Sequence, residues 1–113
     1  MIKVSNITNA KGRPVANQFE IIDYDNGITL FQSYSVIIAK VMDDDKYVYL
    51  DEYYWDYSRT TLRHLYNFLR DQGFYNLNKK VIQKFIKEGT FKITDLNEWV
   101  LDVPEDIVLR NPK

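Results

Sequence analysis

KYVYLDEYYWDYSRTTLRHLYNFL, residues 46–69, is where this chain changes character. Tyr47 and Tyr49 alternate with Val48 and Leu50, the period of a strand with two unlike faces. From Leu62 the period lengthens, and Leu62, Leu65, Tyr66 and Leu69 recur at helical spacing. Ser58 stands where an N-cap is needed, since its hydroxyl can accept a free backbone N–H of the first turn. Tyr57 and Leu62 then hold the two positions of a hydrophobic staple. Gly73 suits the left-handed residue that ends a helix, with Phe74 folding back onto Leu69. The chain therefore passes from β to α here, through the crowded junction Asp51 to Tyr57.

Upstream the pattern is β. NQFEIIDY (17–24) and ITLFQSY (28–34) are rich in β-branched and aromatic residues and flank Asp25-Asn26-Gly27. Asn-Gly fits a type I′ turn, whose two central residues both take positive φ. Either Ile28, Leu30 and Tyr34 or Thr29, Phe31 and Ser33 face the core, and the first set is the more apolar. SVIIAKVM reads as a central strand covered on both faces, and KYVYLD as its partner. Between them Asp43-Asp44-Asp45 reads as a solvated turn tip; a calcium loop needs spaced acids, a glycine and a distal Glu, and that pattern is absent. Residues 1–16 read as a short edge strand, Ile2 and Val4 alternating with Lys3 and Ser5, or as an arm.

Downstream the pattern is mostly α. Asn78 caps a second helix whose apolar stripe is Val81, Ile82, Phe85 and Ile86, and Gly89 ends it. Phe91 and Ile93 alternate as a short strand. Trp99, Val100, Leu101 and Val103 offer an apolar return before Pro104, which opens either a short helix to Leu109 or a strand. The fold expected is a single α+β domain over residues 1–113, a mostly antiparallel sheet of four to five strands with helices 58–72 and 79–88 packed on one face.

Composition narrows the chemistry. With no cysteine, disulfides, thiolate catalysis and cysteine-based zinc sites are all absent, and a reducing, cytoplasmic setting is expected. The start, MIKVSNITNAKGR, lacks the apolar region of a signal peptide, and the longest apolar run, Val36 to Ala39, is far short of the roughly 18 residues of a membrane helix. His64 is the single histidine. It lies six residues after Ser58, a rotation of about 600° on a helix, so the two are not face neighbours. Thr60 and His64 are an i,i+4 pair in reach of a hydroxyl–imidazole hydrogen bond. The acids Asp51, Glu52 and Asp56 could be paired for acid–base work, yet no phosphate loop, dinucleotide fingerprint or metal-binding helix motif accompanies them. No catalytic residue, metal ligand or cofactor is assigned.

Two alternative binding readings remain, the first of them favoured. Asp51, Glu52, Tyr53, Tyr54, Trp55 and Asp56 interleave acids with aromatics, the residue types that anchor protein interfaces. The rival reading places Trp55 and some of the tyrosines in the core. The alternative is a small DNA- or RNA-binding module that uses a basic surface. Residues 58–92 carry eight bases and two acids, between acidic flanks. Arg63, Lys79, Lys80, Lys84 and Lys87 would meet phosphates of DNA or RNA. Lys79 and Lys80 occupy a first helical turn, where the helix dipole disfavours cations. The two helices with their Gly-containing link loosely resemble a helix-turn-helix.

One further resemblance involves Ser33, Tyr34, Ile38 and Ala39, an S-Y element before a strand ending I-A, and Trp55, Asp56, Tyr57, Ser58, Thr60 and Thr61, a W-D-Y-S-x-T-T run opening a helix. Over about residues 20–96 the chain resembles a family of small phage and prophage proteins. The resemblance carries no activity. It implies a phage accessory protein that binds a host or phage macromolecule, with inhibition of a host nuclease or defence complex (anti-CRISPR action among them) as the associated role. Substituting the cap, Ser58→Ala, is expected to lower unfolding free energy by about 1 kcal/mol, read as a lower urea midpoint with unchanged slope.

Overall fold

The computed structural model describes residues 1–44 and 46–97. Six strands and two helices follow one another as β1 (Ile2–Thr8), β2 (Pro14–Asp23), β3 (Ile28–Ser33), β4 (Val36–Met42), β5 (Tyr47–Asp51), α1 (Arg59–Asp71), α2 (Lys79–Glu88) and β6 (Phe91–Thr94). The strands form one sheet in chain order, β1 to β6. The first four pairings are antiparallel, as tight turns allow, and β6 alone runs parallel to its neighbour, β5. A parallel neighbour demands a long crossover, and α1 with α2 supplies it. This is the α+β architecture expected, with one strand more. Residues 1–16 supply an edge strand and the start of β2.

Register decides which residues form the core. Thr29, Val41, Val48 and Phe91 stand in one row across β3 to β6, and Phe31, Ala39 and Leu50 in the next. All are buried. Of the two candidate faces of β3, the structure therefore selects Thr29 and Phe31, the less apolar set. Thr29 is tolerated there because its hydroxyl donates to Asp43 Oδ1 at 3.0 Å. Asp43 is thereby half-buried and engaged rather than a solvated tip, while Asp45 lies outside the described residues. The helices cover this face. Phe68 of α1 stacks on Phe31 with ring centroids 5.5 Å apart, and Phe74 and Phe85 meet Phe91 edge-on at 5.3 and 5.1 Å. Leu62, Leu65, Phe68 and Leu69 form the buried stripe of α1; Tyr66, assigned to that stripe, is only half-buried and Phe68 takes its place.

Both helices begin and end as their sequences dictate. Ser58 Oγ accepts from Thr61 N at 3.0 Å and Asn78 Oδ1 from Val81 N at 2.9 Å. At the end of α1 the Phe74 N–H reaches Leu69 O at 2.9 Å and the Gly73 N–H reaches Arg70 O at 3.0 Å. Gly73 takes φ 99°, the left-handed residue this ending requires. The staple fails, however: Tyr57 faces solvent and leans toward Tyr54, 6.0 Å between ring centroids. The β2–β3 turn also differs. It spans residues 24–27, with Asp23 paired to Ile28, and Gly27 alone has positive φ. Asp23 accepts from the Asn26 side chain at 2.7 Å, which holds Asn26 out of the type I′ geometry. The helix or strand expected after Pro104, and the return from Trp99 to Val103, lie outside the described residues.

Asp51 closes the fold. It is fully buried at the end of β5. Its Oδ2 accepts from the backbone N–H groups of Tyr53 and Tyr54, at 3.1 and 3.0 Å. Its Oδ1 accepts from Leu96 N at 2.8 Å and Asn97 Nδ2 at 3.0 Å. The Asn97 amide in turn pairs with both N and O of Ile37, continuing β4 past the end of β5. One carboxylate thus ties the entry of the crossover to the exit of β6. Asp51→Ala leaves these donors buried without a partner and is expected to cost about 3 kcal/mol, with Asp51→Asn intermediate, as measured by urea unfolding.

Candidate binding groove

The acidic–aromatic segment does not form a continuous surface. Asp51 is consumed by the bonds just described, and Trp55 is buried in the core. Tyr54 packs half-buried against it. Glu52 and Tyr53 are exposed, and Asp56 is half-exposed. Of the basic set, Arg63, Lys79, Lys80, Lys84 and Lys87 all lie on exposed helix positions. Lys79 Nζ sits 3.5 Å from Asp56 Oδ2, so the two predicted sites meet and partly neutralise each other. An exposed pair of this kind contributes little stability.

The structure assembles a different feature beside them. Two irregularities in the sheet create it. In β2, Asn6 pairs with Phe19 and Thr8 with Pro14, so four residues, Val15 to Gln18, stand opposite Ile7 alone and arch outward. The Asn6 side chain holds this arch by donating to Val15 O at 2.8 Å. In β4, Phe31 pairs with Ala39 and Gln32 with Ile37, leaving Ile38 as an extra residue, buried like its neighbour Ala39. The arch and the bulge face the first turns of α1 across a groove of about 650 Å³. Val15, Ala16, Asn17 and Gln18 form one wall. Ser33, Tyr34, Val36 and Ile38 form the floor and end, and Tyr54, Tyr57, Ser58, Thr60, Thr61 and His64 the other wall.

Backbone conformation marks the same place. Asn17 and Tyr34 have φ of 62° and 55°, and the Tyr34 N–H donates to Asn17 O at 2.7 Å. Asparagine tolerates the left-handed region, whereas tyrosine there costs about 1 kcal/mol or more. Strain of this size persists where surrounding contacts enforce it, and such positions gather at functional sites. Tyr34 and Tyr57 stand at the groove 65% and 66% exposed, respectively.

The polar chemistry of the groove is neutral. None of its lining residues is Asp, Glu, Lys or Arg. Gln18 is 4% exposed, yet its Oε1 has no hydrogen-bond partner among the described residues. His64 Nδ1 is likewise buried and unpartnered, so the expected bond from Thr60 does not satisfy it. Burial, and secondarily the Arg63 cation, hold the His64 pKa below the usual imidazole value. The ring is therefore neutral at pH 7, with one nitrogen able to donate and the other to accept. Buried polar atoms are nearly always paired, so these two, closed to solvent and unpartnered among the described residues, are costly features of the groove wall.

The residues of the S-Y element and of the W-D-Y-S-x-T-T run converge here: Ser33, Tyr34 and Ile38 from the first, Tyr57, Ser58, Thr60 and Thr61 from the second. Gln18, Asn17 and His64 escape a sequence reading as a site, because nothing local announces the arch that gathers them. The family of unknown function DUF8033 matches residues 2–87, from β1 through nearly all of α2. The chain belongs to this family. The match embraces every residue that lines the groove. No curated protein and no solved structure matches the chain. No helix among the described residues is long and apolar enough to cross a membrane.

Because the folded pKa of His64 is depressed, the unfolded chain takes up its proton first as pH falls. Stability is expected to be flat for this group at neutral pH and above. It should fall as pH drops below about 6.5, until the folded-state pKa is passed. His64→Leu should remove that component, read by comparing urea midpoints at pH 7 and pH 5.

Proposed function

We propose that this member of the family is a non-enzymatic binding protein whose ligand is a segment of another protein, received in the groove between the β2 arch and α1. The observation that carries the reading is the groove itself, about 650 Å³ and free of charged lining residues, with Tyr34 and Tyr57 standing largely exposed at it. A cleft of mostly apolar walls with a few convergent polar groups is the usual form of a recognition site. Exposed Tyr34 and Tyr57 add rigid aromatic area of the kind that anchors interfaces. The neighbouring Glu52, Tyr53 and Asp56 extend the contact surface around the N-terminus of α1.

The biological setting follows the resemblance to phage proteins: an accessory protein in the host cytoplasm that inhibits a host defence complex or nuclease by occupying it. Its support is the quoted motif alone. Nucleic-acid binding through Lys80, Lys84 and Lys87 is the second reading, favoured by their exposure on α2 and weakened by the Lys79–Asp56 pair.

The test is affinity capture from host lysate with three baits. The parent chain is expected to retain a specific protein, and Ala16→Arg, which places a cation on the exposed arch, to lose it. Glu52→Lys is expected to retain it with reduced yield. Equal capture by Ala16→Arg would remove the groove as the site, and loss with Glu52→Lys alone would return it to the acidic corner.

A further inference from the structure

We propose that the chain pairs with a second copy of itself through the sheet face opposite the helices, the two sheets packing face to face about a two-fold axis that runs along the strands. This surface is separate from the groove and does not depend on it.

Register defines the face. Successive side chains of a strand point to opposite sides. Thr29 and Phe31 point to the helices, so Ile28 and Leu30 point away. Val4, Ile21, Leu30, Lys40, Tyr49 and Lys92 stand in one row across all six strands of that open side. Ile2, Asp23, Ile28, Met42 and Tyr47 stand in the next. Both helices pack on the other side, where Phe68 meets Phe31 and Phe85 meets Phe91. No residue of the two open rows is buried, and Ile2 and Val4 are 63% and 59% exposed. An antiparallel sheet with one face in water normally turns polar residues to that face. Here β2, β3 and β4 turn Ile21, Ile28, Leu30 and Met42 to it instead, and Phe19 extends the patch. A contiguous apolar surface of this kind marks an interaction site.

Area limits what can cover it. With about 4.8 Å between strands and about 3.4 Å per residue, the open face offers roughly 500 Å² per copy. Two copies together reach about 1,000 Å², the size a specific interface must have. Sheets stacked in this way form a sandwich whose inner side chains interdigitate.

Charge selects the second copy and its orientation. Lys40 and Lys92 lie on the β4–β6 half, their ammonium groups over the rings of Tyr49 and Tyr47 at 5.6 and 6.0 Å. Asp23 lies on the β2 half and makes no ion pair among the described residues. A face with cations on one half and an anion on the other complements itself when turned over about an axis along the strands. β2 of one copy then lies over β5 of the other, and Asp23 meets the Lys92 ammonium above Tyr47. β3 lies over β4, which brings Ile28 onto Met42 and Leu30 onto the aliphatic stem of Lys40. An axis across the strands would instead set Lys40 and Lys92 of both copies together, and like charges oppose that arrangement. The groove lies between the sheet and α1, on the other side, so the dimer leaves both copies of it open.

The experiment is sedimentation equilibrium of the full chain, with circular dichroism to confirm folding. The parent is expected to be dimeric above about 10 µM. Leu30→Lys and Ile21→Lys, at the centre of the face, should weaken the dimer about a hundredfold or more. Asp23→Lys and Lys92→Asp should each weaken it about tenfold, and the double exchange should return the dissociation constant to within about threefold of the parent. Such rescue separates loss of the interface from loss of the fold. Where Leu30→Lys does not fold, Leu30→Thr, which retains strand propensity, decides by the same readout, with about tenfold weakening expected. The proposal is overturned by a parent that stays monomeric up to about 1 mM, whether residues 98–113 or a different protein then meets the face. It is overturned equally by a dimer that is unchanged in a folded Leu30 variant, or by a double exchange that restores nothing.

Discussion

The carboxylate of Asp51 is the constraint on which this fold closes. A buried charge is tolerable only when its lone pairs are met, and here four donors do so, from the start of the crossover and from the exit of β6. Charge-assisted bonds of this kind are stronger than neutral ones. Their arrangement matters more than their sum. They act together with the backbone bonds from Glu52 N to Thr94 O and from Trp55 N to Asp51 O, and with buried Trp55, to fix the direction of the turn. Asn97 extends the same network to Ile37, so the edge of β4 beyond β5 is sealed by a side chain instead of a strand.

With the sheet and α1 fixed in this way, the groove arises from interruptions of regular structure. The arch at Val15–Gln18 and the extra residue Ile38 each break the β ladder on the side that faces α1. Regular strands at both places would let the helix pack flush. The cleft that results contains a left-handed tyrosine and two unsatisfied polar atoms. Each of these costs stability in the free chain, and all are concentrated in one place while the core rows beneath them are fully apolar or satisfied.

The acidic–aromatic segment shows how far residue type can mislead. Asp51 and Trp55 look like interface residues beside Tyr53 and Tyr54, yet one is a structural hub and the other is core. What separates Asp51 from Glu52 is the presence of donors from Leu96 and Asn97, some 45 residues away. The lysines of α2 tell a similar story, since Lys79 finds Asp56 only because the crossover brings α2 back to the start of α1.

The sequence alone determined what depends on a few neighbouring residues. The caps at Ser58 and Asn78, the helix ending at Gly73 and Phe74, and the faces of β5 all follow from contacts within about five positions, and the α+β class follows from their order. Tertiary structure decided the rest. It chose Thr29 and Phe31 over Ile28 and Leu30 as the core face, because register across four strands, and a hydroxyl partner in Asp43, outweighed local apolarity. It set β6 parallel to β5, raised the arch of β2, and placed Gln18 and His64 along one groove. Those outcomes depend on pairing between distant segments, and a one-residue shift in register would have turned every one of those side chains to the other side.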